Sequence, residues 1–243
     1  MPAHRGDVAF SAEITEFAAA RERVLAAIAD ACARVGRDPG SVSLVAVSKT
    51  VPPERLVAAV AVGLTTLGEN RVQEGEAKVL VVPGASWHLV GPLQSNKAKR
   101  ALATFDVIES VDSVELAERL DRLASEARPN ALVPILLQVN VDADPAKAGF
   151  DPETLERGLP ALDDCSRLDI RGLMTVGRMA HDPEAARPTF VALRRLSERL
   201  RSRWAGLGSE LSMGMSDDYL TAIEEGATIV RVGKAIFGDR PNP

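Results

Sequence analysis

The sequence predicts an α/β protein of the (β/α)8 TIM-barrel class, a closed parallel barrel with one extra N-terminal helix. Three observations carry that prediction. Short apolar runs alternate with amphipathic stretches eight times along the 243 residues, the pattern of a parallel sheet with a helix after each strand. The runs are continuous rather than alternating, as in strands covered on both faces. Eight strand–helix units in roughly 200 to 250 residues is the size of one closed barrel. An open doubly wound sheet is the runner-up, but no G-x-G-x-x-G follows the first strand. The chain is read as a single domain over residues 13–243, with residues 1–12 expected to be a flexible N-terminus.

Each element has its own cue in the sequence. Residues 13–35 place Ile14, Phe17, Val24, Leu25, Ile28 and Val35 at helical spacing, and Gly36 stops the run. Residues 43–47 form the first strand, and a proline pair opens the helix over 52–62. Residues 65–67 form a second strand, from which Gly68-Glu69-Asn70 leads into a helix ending near 79. The third strand (86–90) is followed by a helix over 96–104, and the fourth strand is 106–109. Its helix is expected to start at Asp112, three residues before Glu115, a capping-box spacing. The fifth strand covers 133–141. Asp151-Pro152-Glu153 then supplies a cap followed by proline at the first helical position. A sixth strand lies within 169–176. Asp182-Pro183-Glu184 repeats the cap before a helix reaching about 203. The seventh strand (210–213) leads to a helix from Ser216, and 228–232 is the eighth strand.

Composition narrows the function. Lysine and arginine number 29 against 34 acidic residues, a net charge of −5 that argues against a nucleic-acid partner. The first residues have no apolar core of a secretory signal, and proline and glycine break the longest uncharged stretch, 79–96. No membrane partner and a cytoplasmic location are therefore expected. Cys32 and Cys165 give neither a metal spacing nor a disulfide framework.

If the barrel is right, chemistry belongs at the C-terminal ends of the strands. Lys49 closes the run Val45-Ala46-Val47-Ser48, which would put an amine at the mouth. Partial burial favours the neutral amine, which can attack an aldehyde. The position equally suits a surface lysine. Met213-Gly214-Met215-Ser216 ends the seventh strand, with Ser216 a good helix cap. A glycine turn opening a helix there is also where barrels bind phosphate. Arg231-Val232-Gly233-Lys234 ends the eighth strand. Gly233 permits close backbone approach, and Arg231, if inward, is a permanent cation in the mouth. Asn70 ends the second strand and also suits a cap. His88 reads as a satisfied core residue, and Lys97, Lys99 and Arg100 as a solvated helix face. Met174 and Met213 suit either a ring-shaped ligand or core packing.

Taken in order, these segments resemble the pyridoxal phosphate homeostasis proteins. The matching stretches are Val45-Ala46-Val47-Ser48-Lys49, Gly68-Glu69-Asn70, Trp87 through Lys97, Arg171-Gly172-Leu173-Met174-Thr175, Met213 through Tyr219, Arg231-Val232-Gly233 and Ala235-Ile236-Phe237-Gly238. The resemblance runs from about residue 13 to 238. It implies a fold type III barrel like the N-terminal domain of alanine racemase, with pyridoxal 5′-phosphate held as a Schiff base on Lys49. It implies phosphate contacts from Ser216, Gly233 and position 234, Arg231 near the pyridine nitrogen, and Asn70 and Met213 as pocket residues. The family usually has Thr or Ser where Lys234 stands, so the backbone N–H or the ammonium must serve there. Thr175-Val176-Gly177-Arg178 replaces a proline-containing loop of many relatives.

The resemblance implies a protein that binds, protects and delivers the cofactor, with PLP-dependent apoenzymes as partners and no catalytic residues; a monomer is expected because no exposed apolar helix face stands out in the sequence. A PLP-dependent racemase or decarboxylase on the same barrel is the alternative. Two-base racemisation needs a base on each face of the ring. The racemases take theirs from a tyrosine in a further domain, and the one tyrosine here, Tyr219, follows the phosphate turn. A phosphosugar-binding barrel without a covalent link is a third possibility. Lys147 and Lys234 are secondary candidates for transient capture of the aldehyde.

Overall fold

A computed structural model describes residues 5–177 and 182–238. The strands are β1 (Ser43–Val47), β2 (Thr66–Glu69), β3 (Ser86–Leu89), β4 (Val107–Val111), β5 (Val133–Gln138), β6 (Leu168–Met174), β7 (Glu210–Met215) and β8 (Ile229–Val232). They form a closed barrel in sequence order, every pair parallel, with β8 returning to β1. The helices are α1 (Arg5–Arg34), α2 (Pro53–Ala61), α3 (Val72–Val79), α4 (Ala98–Thr104), α5 (Val114–Ala127), α6 (Pro152–Asp163), α7 (Arg187–Arg201), α8 (Tyr219–Glu224) and α9 (Lys234–Phe237).

The strand residues divide by parity. The outward set, among them Ala46, Leu67, Leu89, Ile108, Ile135, Leu173 and Val230, packs against the helices in one large cluster. The inward set contains only a small apolar group, Val45, Leu136, Met174 and Ile229, with Val90 and Val176 against it. Much of the remaining barrel interior is polar, and that is where the site lies.

In a closed barrel the helix after the last strand should cover the β8–β1 seam. Here α9 is a single turn, and α1 takes its place. Phe17, Ala20, Val24, Ile28 and Ala31 form a buried stripe at three- and four-residue spacing. That stripe packs on α2, α8 and α9. Phe17 meets Phe237 edge-to-face at 5.5 Å, and Arg34 Nε donates to Glu224 at 2.8 Å. Just beyond α1, Arg37 donates to the carbonyls of Ile223 and Ala227.

Several boundaries differ from those read in the sequence. Helix α1 begins at Arg5, eight residues before the helix read over 13–35. Residues 10–12 are exposed and leave no apolar face for periodicity to reveal. Helix α5 is capped by Ser113, whose hydroxyl accepts from Leu116 N–H at 3.2 Å, and not by Asp112. Asp151 caps α6 as expected. Asp182 caps a short 3-10 turn (Pro183–Ala186) that precedes α7. Strand β7 runs on to Met215 and α8 starts only at Tyr219, so Ser216 caps no helix.

Candidate functional site

The C-terminal ends of the strands form a mouth, and strand register decides which side chains enter it. Val47 pairs with Gly68, and Gly68 with His88, so these three face inward together. Lys49 lies two residues beyond Val47, and Asn70 two beyond Gly68. Parity therefore carries Lys49 and Asn70 to the inner rim, where both are half-buried. Asn70 is held from below by the turn after β3. A side chain on Gly91 would come within 2.3 Å of the Asn70 carbonyl oxygen, so only glycine allows that approach.

Next to β1 on its other side, the loops after β7 and β8 meet. The Gly233 N–H donates to Ser216 Oγ at 3.1 Å. Freed from capping, the Ser216 hydroxyl faces the neighbouring loop. Gly214 makes this possible: at φ +91° it adopts a conformation L side chains rarely reach, and an added Cβ would lie 2.6 Å from that of Ala222. Asp218 fixes the same loop, accepting from Met215 N–H at 2.6 Å. Burial raises its pKa, an effect offset in part by the Met215 bond and by Arg231. Lys234 opens α9 and is exposed.

Beneath the mouth lies a buried charged layer. Arg231 on β8 points inward and is 4% exposed. Its Nη1 donates to Ser212 Oγ at 2.6 Å and its Nη2 to the Thr175 carbonyl at 2.7 Å. Burial lowers its pKa, and Glu109 and Asp218 partly restore it. Ser212 Oγ in turn donates to Glu109 Oε2 at 2.5 Å, and His88 Nδ1 donates to Glu109 Oε1 at 2.6 Å. Burial raises the Glu109 pKa, but the His88 bond, with His88 and Arg231 nearby, outweighs it and holds the carboxyl below its ordinary range.

A second buried network backs β1. Ser48 and Glu69 face outward toward α3, where Lys78 Nζ donates to Glu69 Oε1 at 2.6 Å and to the Ser48 carbonyl at 2.8 Å. Ser48 Oγ donates to the same carboxylate oxygen at 2.6 Å. Burial raises the Glu69 pKa, and the Lys78 and Ser48 bonds bring it back only in part. Glu69 Oε2 is buried without a hydrogen-bond partner. The network pins the residue before Lys49 and the residue before Asn70.

Of the residues singled out in the sequence, Lys49, Asn70, Ser216, Arg231 and Gly233 come to one end of the barrel. Met213 does not: its neighbour Ser212 faces inward, so the Met213 side chain lies in the outer cluster against the helices. The expectation that it lines the pocket is corrected, since the parity that aims Arg231 inward aims Met213 outward. Lys147 already has polar partners. Its Nζ donates to the carbonyls of Val176 and Gly177 and lies 3.7 Å from carboxylates of Asp142 and Asp144. It ties the loop after β5 to that after β6. Arg178 lies outside the described residues. Glu109, Ser212, Glu69 and Lys78 were missed in the sequence. A glutamate inside the apolar run Val107-Ile108-Glu109-Ser110-Val111 was the available sign.

The chain was compared with known proteins. The family profile described as alanine racemase, N-terminal domain, matches residues 24–241. A pyridoxal phosphate homeostasis protein of Pseudomonas aeruginosa is 42% identical over 223 residues, 90% of this chain and 93% of its own. One from Aquifex aeolicus is 39% identical over 220 residues, covering 90% and 96%. Among solved structures, PipY of Synechococcus elongatus with PLP bound superposes with a TM-score of 0.77 at 42% identity, over 87% of this chain and all 100% of that one. An alanine racemase of Clostridium difficile reaches a TM-score of 0.68 at 14% identity, over 90% of this chain and 60% of the racemase, a likeness of fold alone.

Proposed function

The chain belongs to the pyridoxal phosphate homeostasis family, built on the alanine racemase N-terminal domain, and from that premise we propose that it binds pyridoxal 5′-phosphate, protects it and passes it on. The observation that carries this reading is the bond between Ser216 Oγ and Gly233 N–H. The two loops bring a hydroxyl and a backbone N–H within 3.1 Å of each other, and a bound phosphate oxygen would take both donors by replacing the bond between them. A buried cation, Arg231, lies below, and Lys49 stands on the inner rim. Phosphate donors, cation and amine suit this cofactor. Bound, it supplies an aldehyde and an electron-withdrawing ring.

Each residue then has a task. Ser216, Gly233 and the N–H of Lys234 hold the phosphate. Arg231 would serve the ring as a donor, and Asn70 would be a pocket residue beside it. Lys49 would be the residue that holds the aldehyde, as a Schiff base through its amine nitrogen with loss of water. Lys234 is exposed, where an amine can take up the aldehyde during release. Lys147 takes the same part only by giving up its loop contacts.

Handling rather than turnover is favoured by the place of Tyr219. The chain has one tyrosine, and it is buried in the outer cluster, with burial raising its pKa. Packed among the helices and not in the barrel interior, it is poorly placed to act as a second base for a racemase. No described helix is long and apolar enough to cross a membrane. The reading includes a cytoplasmic monomer that delivers the cofactor to PLP-dependent apoenzymes. A dimer in sedimentation would overturn the monomer, and absence of transfer to any apoenzyme would overturn delivery.

The experiment is borohydride reduction of the protein mixed with pyridoxal 5′-phosphate, followed by peptide mapping. One dominant adduct on Lys49, absent in Lys49→Ala, is expected. Scattered labelling, or none, overturns the assignment. Amino-acid racemisation or decarboxylation that disappears in Lys49→Ala would replace handling with catalysis.

A further inference from the structure

Resting on the cofactor binding proposed above, we propose that Glu109 is a positioning residue of this pocket, holding the Arg231 guanidinium in place through Ser212. Strands β4 and β8 stand on opposite walls of the eight-stranded barrel. Glu109 and Arg231 therefore reach toward each other across its interior, Glu109 Oε2 and Arg231 Nη1 lying 4.0 Å apart with the Ser212 hydroxyl bridging them. The direction of each bond is forced. A guanidinium only donates and a carboxylate only accepts, so the serine must accept from Arg231 and donate to Glu109. His88 occupies the other carboxylate oxygen. Glu109, fully buried, thus has partners on both oxygens.

This arrangement fixes a plane. Ser212 and the Thr175 carbonyl hold the two terminal nitrogens of Arg231, and two anchors on a rigid planar group leave it no rotation. With the carboxylate replaced by an amide, Ser212 keeps at most a neutral acceptor and its hydroxyl is held less firmly. Arg231 then keeps one firm anchor and loses its nearest counter-charge. Buried ion pairs add little net stability compared with apolar packing, so orientation and charge of Arg231 are what this pair contributes. Arg231 lies two residues below Gly233, so a ring whose phosphate sits between Ser216 and Gly233 presents its edge to the guanidinium.

A binding cycle tests the role. The parent protein, Glu109→Gln and Ser212→Ala are each titrated with pyridoxal 5′-phosphate and with its 1-deaza analogue, in which a C–H replaces the ring nitrogen. Both variants are expected to lose about tenfold in affinity for the natural cofactor and about twofold or less for the analogue, because the coupling runs from Glu109 to the ring nitrogen. Equal losses for both ligands mean a merely structural carboxylate and overturn the proposal, as does no loss for either. If Glu109→Gln fails to fold, Ser212→Ala still decides, because it cuts the bridge and leaves the His88–Glu109 pair intact. A parent protein that binds no pyridoxal 5′-phosphate overturns the cofactor reading itself, whereas selectivity absent from a binding-competent parent overturns the role of Glu109 alone.

Discussion

Replacing Lys78 with methionine should cost stability, and more so as the pH rises. Lys78 Nζ makes two short bonds, to Glu69 and to the Ser48 carbonyl. The lysine side chain is 8% exposed and that of Glu69 is 0% exposed. Methionine fills the volume and removes the charge, leaving a buried carboxylate with Ser48 as its remaining partner. Breaking a buried pair from one side costs about 3–5 kcal/mol. At about 2–4 °C per kcal/mol for a domain this large, the melting temperature should fall by about 6–20 °C. Burial already raises the Glu69 pKa, and losing Lys78 raises it further. A carboxyl whose folded-state value is raised contributes its stability in acid and loses it as pH climbs through that value. The deficit should be small near the ordinary glutamate value of about 4.3 and largest at neutrality. Adding Glu69→Gln should recover at least part of it. Urea unfolding followed by circular dichroism at several pH values measures all three quantities. A deficit below about 1 kcal/mol at pH 7 would refute a tight buried pair, and so would a deficit independent of pH.

Two other outcomes follow from the same structure. Gly214→Ala combines a disfavoured φ with a contact of 2.6 Å against Ala222, so a loss of about 2–5 kcal/mol is expected; chemical denaturation checks it, and a variant as stable as the parent would show that the turn relaxes freely. Cys165 is buried, and burial with the nearby Asp121, Glu118 and Asp164 carboxylates pushes its thiol up to about 11. Iodoacetamide at pH 8 should therefore label it only in denaturant, and rapid labelling of the folded protein, read by mass spectrometry, would contradict its placement.

The barrel was legible because a parallel barrel writes itself as eight apolar runs, and the mouth because Lys49, Ser216 and Gly233 sit at run ends. Orientation within a run was harder. Met213 was read as a pocket residue, whereas register turns its unremarked neighbour Ser212 to the interior. Glu109 was passed over because a single acid inside an apolar strand has no partner in its own segment; its partners come from β3, β7 and β8. Lys78 is similar, an ordinary lysine on an amphipathic helix until Glu69 is brought beneath it. Ser216 shows the opposite failure. Its local pattern fits a cap well, yet β7 runs up to Met215, α8 starts only at Tyr219, and the hydroxyl serves the next loop.

The seam between β8 and β1 has a consequence for how the molecule comes into being. Its clasp joins α1 to α8 and α9, and the Arg34–Glu224 bond spans 190 positions of sequence. On the ribosome, α1 emerges before any strand, with its apolar stripe lacking the surface it will cover. Closure of so long a loop costs only logarithmically more entropy than a short one, but it cannot begin until β8 has emerged. Early pairing of β1 with β2 therefore leaves an open sheet edge and a naked helix face together until β8 is made. The last strand of the barrel completes the ring, so the unclosed barrel is most exposed to misassociation just before β8 joins β1.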